Sequence, residues 1–354
     1  KKNPPPHSAK ILGEYIDDFA LKDETVDFIV TESIKNKETP FLSVLVPVYN
    51  SEKFILQCLN SIEKSCSKIS YEIILVDDGS VDSSLELISN FKSSGNMKII
   101  SFAKNQGLSQ ARNISISESN GEYITFVDSD DLTICDFSII ERLIKKEGYP
   151  SIISSDFITF TDNHDIEKED TNIIMSVSSR SNLFQGVNGF AWGKFYKRSI
   201  FNDVKFLPGR MWEDIITLPI LCNKASEVKQ LSLKSIAYRE NPTSLSRSKP
   251  TEISAEDYVM QLKFLIYLAM KNDLINDYFY FRLMRDAGKF LYQRTKHISK
   301  KQQLKNFKEL RDNISLCRID RSIEKLPLTE RLIDKAFSKG SFVYWKLACL
   351  YQSL

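Results

Sequence analysis

Residues 121–131, GEYITFVDSDD, restrict what this chain can fold into more than any other stretch. Tyr123 to Val127 are all aromatic or β-branched, the composition of a strand buried on both faces. The run ends in Asp128, Ser129, Asp130 and Asp131. An apolar strand that ends in clustered acids puts hard oxygen ligands on the carboxyl edge of a sheet, where open α/β sheets bind their ligands. Asp128 and Asp130 are spaced to share Mg²⁺ or Mn²⁺, whose shell phosphate oxygens and water complete. The competing reading is an Asp-rich turn that caps the next helix, a role Asp131 fits.

The neighbouring chain repeats the pattern. Strands are expected at 41–48, 72–76 and 97–102, with helices at 52–65, 82–91 and 108–119. Strand and helix in alternation predict a Rossmann-like, mostly parallel sheet flanked by helices, with right-handed crossovers. Polar residues gather at each strand's carboxyl end. Beyond the acids come a helix over 137–146, a strand over 151–160 and an acidic, aperiodic loop over 161–182. A helix then enters at Glu213-Asp214, and a strand covers 235–239. Apolar spacing from Ala9 to Ile34 predicts one or two short helices, and long amphipathic helices follow Ser254. The expected organisation is an N-terminal helical extension (1–40), an α/β domain (41–250) and a C-terminal α-helical region (251–354).

Charge separates these parts. Residues 255–354 hold 19 Lys and Arg against 11 Asp and Glu, while the rest of the chain holds 29 against 35. An acidic front without a basic, aromatic-interleaved face excludes nucleic acid as a partner. The basic tail, with Phe264, Leu265, Leu268, Phe279, Phe281, Phe290 and Leu291 among its charges, suggests a membrane surface, self-association, or packing on the rest of the chain. Six cysteines form no CxxC pair, which predicts reduced thiols and a cytoplasmic setting, peripheral on the inner membrane face at most. No signal peptide and no run of about 18 apolar residues is expected to lead or span.

VPVYN at 46–50, VDDGSVD at 76–82, NQGLSQARN at 105–113, GEYITFVDSDD at 121–131, AWGKFYKR at 191–198 and EDI at 213–215 occur in that order. Together they resemble the family 2 glycosyltransferases of the GT-A fold, the bacterial capsule, O-antigen and wall-polymer type. Val81 departs from the usual Thr, and no His follows the domain to add a metal ligand. The resemblance implies an inverting, metal-dependent transfer of a hexosyl or N-acetylhexosaminyl group. The donor would be a UDP-sugar, and the acceptor a hydroxyl of a glycan, a lipid-linked oligosaccharide or a glycopolymer.

It also implies roles. Asp78 would accept the uracil imide N–H, with Pro47 and Tyr49 against base or ribose. Arg112 would face the uracil or diphosphate, Asn105 and Gly107 would let backbone approach the nucleotide, and Ser129 joins the donor-binding set. Asp130 would bind the cation directly, and Asp128 the ribose or metal. Asp214 is the candidate general base, or an acid that complements the helix dipole. Glu213 and Trp192 would meet the acceptor, although Trp192 is equally a core residue. Lys194 would pair with a phosphate or acceptor hydroxyl, and Tyr238, Arg239 and Arg247 would close on the diphosphate. Two other classes compete: a nucleotidyltransferase, and a nucleotide-sugar-binding protein without transfer. The first would need a Gly-rich basic loop after strand one, which VPVYNSEKF lacks. The second would be expected to have lost Asp130 or Asp214.

Overall fold

The computed structural model describes residues 27–161, 175–178, 189–209, 212–240, 250–271 and 273–352. The chain divides into two units, residues 25–209 with 224–247, and residues 1–24 and 210–223 with 248–354.

The first unit is built on a sheet of ten strands among the described residues. Its first half comprises β1 (Phe28–Ser33), β2 (Leu42–Val48), α1 (Ile55–Cys66), β3 (Tyr71–Asp77) and α2 (Ser84–Asn90). It continues with β4 (Asn96–Phe102), α3 (Leu108–Ser117) and β5 (Tyr123–Phe126). The second half comprises β6 (Leu132–Thr133), α4 (Phe137–Lys146), β7 (Ile152–Phe160), β8 (Met175–Ser178) and β9 (Lys194–Lys197). β10 (Val228–Arg239) returns after the excursion into the other unit.

β2 and β3 are buried at every position, so they read as unbroken apolar runs instead of alternating ones. β4, β3, β2 and β5 pair in parallel. β9 then lies antiparallel to both β5 and β7, and β7 pairs in parallel with β10. β7 and β10 therefore run in the sense of β5, and their carboxyl ends share its edge. The sheet is mixed: β1 joins β4 antiparallel, and β6 and β8 join β10 antiparallel.

Three segments differ from the sequence-based expectation. Phe28–Ser33 is an edge strand and not part of a helix, because β-branched Ile29, Val30 and Thr31 extend easily along β4. Residues 9–26 of that expected helix lie outside the described residues. Within the expected 161–182 loop, Met175–Ser178 pairs with β10. β10 itself begins at Val228, ahead of the expected Ser235. The charge of Lys229 masked that start, since it is buried only by pairing with Glu147 and Glu227.

The second unit is helical: α5 (Asp214–Lys224), α6 (Glu252–Lys271), α7 (Asp277–Arg285), α8 (Leu291–Thr295), α9 (Lys300–Cys317), α10 (Asp320–Ile323), α11 (Leu328–Ser338) and α12 (Phe342–Gln352). A widened turn over Asp286–Phe290 joins α7 to α8. The Trp345 indole N–H donates to the Ala287 carbonyl there at 2.9 Å. Phe264, Leu265, Phe279 and Leu291 are buried. These four members of the expected interfacial face thus form the unit's own core. Residues 210–223, expected within the α/β domain, group with this unit. Among the described residues no helix is long and apolar enough to cross a membrane. All six cysteines are free.

Candidate active site

The carboxyl edge of the sheet is laced together by polar contacts between turns that are distant in sequence. After β2, Asn50 adopts φ 48°, and its side-chain oxygen accepts the Val81 N–H at 2.9 Å. The Ser51 hydroxyl bonds the Ser129 hydroxyl at 2.6 Å, so the first turn holds the acid loop. Tyr49 is exposed and Pro47 is buried within β2. After β3, Gly79 has φ +69°, and a Cβ there would lie 2.7 Å from the backbone of Lys104 and Asn105. Only glycine lets these two turns touch.

Asp78 uses both oxygens in that contact. Oδ1 accepts the Gln106 N–H at 2.6 Å and Oδ2 the Gly107 N–H at 2.9 Å. Burial raises its carboxyl above the ordinary value, partly offset by the two amides. Asp78, expected to read a base, is therefore a tie between loops. Asn105, on the same loop, is exposed. Asp77 accepts the Ser80 N–H through Oδ2 at 3.3 Å. Its Oδ1 is buried without a hydrogen-bond partner among the described residues.

Two arginines bracket the acid loop. Arg112 on α3 is buried, donates to Asp128 Oδ1 at 3.1 Å, and lies over the rings of Phe126 and Phe206 at 5.6 and 5.4 Å. It was expected to face the nucleotide directly; it pairs with the first acid of the DxD pair. Arg239 at the end of β10 binds backbone. Its Nε donates to the Asp130 carbonyl at 2.7 Å, its Nη2 to Gln57 at 2.9 Å, and its own N–H to Asp131 Oδ1 at 2.8 Å. Phe54 and Phe160 cover the guanidinium at 4.7 and 4.5 Å. Arg239, expected at the acceptor or diphosphate, is a buried clamp on the acid loop. Arg247 lies outside the described residues.

Asp131 is wholly buried, and its Oδ2 has no hydrogen-bond partner among the described residues. Burial, with Asp128 and Asp130 beside it, holds its carboxyl well above the usual range. It does not cap α4; Asp136 does, accepting the Ser138 N–H at 3.0 Å. Asp128 and Asp130 are half-buried. Among the described residues no three His, Cys, Asp or Glu side chains gather as a metal-binding group. Two hard carboxylates fit a cation that takes its remaining ligands from phosphate and water.

The WGK segment is also organised differently from expectation. Trp192 is buried, stacked on Phe190 at 4.5 Å and Tyr238 at 5.5 Å, with Phe157 edge-on at 4.9 Å. The exposed ring of the cluster is Phe190, at 40%. Lys194 is fully buried, and its ammonium donates to the Phe190 carbonyl at 2.7 Å. Lys194 thus shapes the loop. A charge so placed in sequence carries no signal that separates loop support from substrate contact, and Phe190 and Gln57 carried no motif at all. Glu213 and Asp214 belong to the helical unit, Glu213 buried and Asp214 half-buried in the first turn of α5.

Comparison with known proteins agrees with this geometry. Residues 43–148 match the family described as Glycosyl transferase family 2. Over 225 residues the chain is 32% identical to glycosyltransferase GlyG of Streptococcus pneumoniae, covering 59% of this chain and 73% of that one. It is 33% identical over 221 residues to glycosyltransferase GlyA of the same organism, covering 58% of this chain and 31% of that one. The chain thus spans about a third of GlyA's length. Its fold is similar to the crystal structure of S. aureus TarS 1-349 in complex with UDP-GlcNAc. The TM-score is 0.71 at 19% identity, over 88% of this chain and 91% of that one. The mixed sheet flanked by helices, with its C-terminal helical region, is a GT-A-like fold.

Proposed function

We propose, for a chain that belongs to glycosyl transferase family 2, that it transfers a sugar from a UDP-sugar to a hydroxyl of a glycan or glycopolymer, with inversion. UDP-N-acetylglucosamine is the first donor to test, since the TarS crystal named above holds it. The observation that carries the reading is the acid loop. Asp128 and Asp130 are half-buried, and the backbone between them and β6 is held by Arg239. A pair of carboxylates fixed in this way is preorganised for a diphosphate-bound cation instead of moving to meet it.

Asp128 and Asp130 would hold Mg²⁺ or Mn²⁺, which when bound would supply Lewis-acid neutralisation of the leaving diphosphate. Arg112, paired with Asp128 at 3.1 Å, holds that carboxylate in place. Uridine would sit at the 77–78 turn, where one Asp77 carboxylate oxygen has no hydrogen-bond partner among the described residues. Asp214 would take the proton of the acceptor hydroxyl as that oxygen attacks the anomeric carbon. The acceptor would be recognised by the 190–194 segment, with Phe190 as its exposed ring.

The test is calorimetric titration of UDP with and without Mn²⁺, for the wild type and Asp130→Ala, beside an assay of UDP release from UDP-N-acetylglucosamine. Manganese-dependent affinity that Asp130→Ala abolishes supports the reading. Equal affinity in all four titrations, without UDP release, would remove it.

A further inference from the structure

We infer that Arg294, in the C-terminal helical region, is a positioning residue for Asp214, acting through Trp212. The inference rests on the reading of Asp214 as general base and concerns the helical unit alone. Trp212 stands two residues before Asp214 with φ 67°, a left-handed backbone that a bulky aromatic residue rarely adopts. Its carbonyl accepts the Ile215 N–H at 3.2 Å. That bond closes the turn from which α5 presents Asp214. The conformation of Trp212 therefore sets where the Asp214 Cα lies.

A non-glycine residue holds such a conformation only where its surroundings over-determine it. Here they do. The Arg294 guanidinium lies 3.9 Å from the centre of the Trp212 ring and 4.7 Å from that of the Tyr258 ring. Tyr258 is buried, and its hydroxyl donates to the Asp286 carbonyl at 3.2 Å. The cation is thus seated against a ring fixed in the core of α6. Arg294 Nε is buried with no hydrogen-bond partner among the described residues, and Nη1 reaches only a long 3.5 Å bond to the Phe290 carbonyl, so ring contact is the main part of its seat. Cation–π attraction is strongest for Trp and grows with desolvation. The Trp212 indole N–H is also buried without a hydrogen-bond partner among the described residues.

The experiment measures UDP release from UDP-N-acetylglucosamine with the full chain. Arg294→Ala is expected to lower kcat by about tenfold or more, as small misplacements of a reacting group do. KM and calorimetric UDP affinity should hold within about twofold, since a group that acts only in the chemical step leaves binding alone. Trp212→Ala should lose as much, and the double variant no more than either, because both act through one contact. Full kcat in folded Arg294→Ala, or losses that multiply in the double variant, would overturn the inference. If Arg294→Ala does not fold, Trp212→Leu and Trp212→Phe replace it. The ring of Phe should restore kcat that Leu loses, and equal rates overturn the inference. Asp214→Asn is measured alongside. If it stays active, the base assignment fails and this inference with it. If it is inactive beside a fully active Arg294→Ala, the inference alone fails.

Discussion

Arg112 and Asp128 share a 3.1 Å ion pair with unequal exposure: the arginine side chain is 2% exposed and the carboxylate 27%. The cation is held inside while its partner reaches the surface, so the pair delivers a buried charge's field to the mouth of the acid loop. Arg112→Met keeps much of the volume and removes the charge. We expect it to cost roughly 1.5–3 kcal/mol in urea unfolding, the range for a hydrogen bond to a charged group. It should also weaken UDP binding in Mn²⁺. Unchanged binding would show that Asp128 needs no cation behind it.

Asp78 and Asp77 allow structural support and the proposed uridine recognition to be tested separately. Asp78→Ala removes two amide acceptors at once, and unsatisfied buried amides cost about 1–3 kcal/mol each. Its melting temperature should fall clearly. Asp77→Asn should leave stability nearly intact and lower the preference for UDP over GDP. A GDP preference in the wild type would refute the uridine assignment.

Asp214→Asn discriminates a base from a helix-end acid. Asn serves a helix start about as well as Asp, so stability should hold. Transfer should slow by roughly 10²–10⁴, the scale of general base catalysis, with UDP affinity near wild type. The wild-type product should carry the inverted anomeric configuration, read from its one-bond C–H coupling. A retained anomer would sink the assignment.

Asp136 gives a pH prediction. Its pair with Lys68 and its cap on Ser138 hold its carboxyl down at about 2, below an unfolded value of about 3.9. A lowered folded value stabilises above pH of about 3.9, and that contribution is lost as pH falls toward 2. Asp136→Asn keeps the cap and loses the charge. Its deficit against wild type in urea unfolding should be small at pH 7, because the pair is exposed, and should vanish near pH 2. A deficit that grows with acid would contradict this.

The parallel core was legible in sequence because buried parallel strands are uniformly apolar and α1 to α4 have a clear helical period. The mixed second half was less so. β9 carries Lys194 and Lys197, and β10 carries Lys229 and Lys234, charges that hide strands when their partners are distant in the chain. The acid loop could be found because its carboxylates are contiguous. Its supports could not. Arg239, Lys194 and Asp78 are the residue types that also bind nucleotides, and it is the fold that brings carbonyls and amides of this chain to engage them. Phe190 and Arg294 lie in stretches with no motif, where nothing but packing assigns a task.

The clamp of Arg239 on Asp130 spans 109 residues of chain, and that separation bears on how the protein matures as it is made. The parallel strands can assemble once β5 is synthesised, but the acid loop gains its main-chain anchor only after β10 emerges. At synthesis rates of about 5–20 residues per second, the interval is on the order of 5–20 s. Throughout it the acid loop of a nascent chain has its contacts to Ser51 and Arg112 but not those of Arg239. The contacts that fix the acid loop are therefore completed late in synthesis, and a chain stopped before residue 239 would lack this clamp.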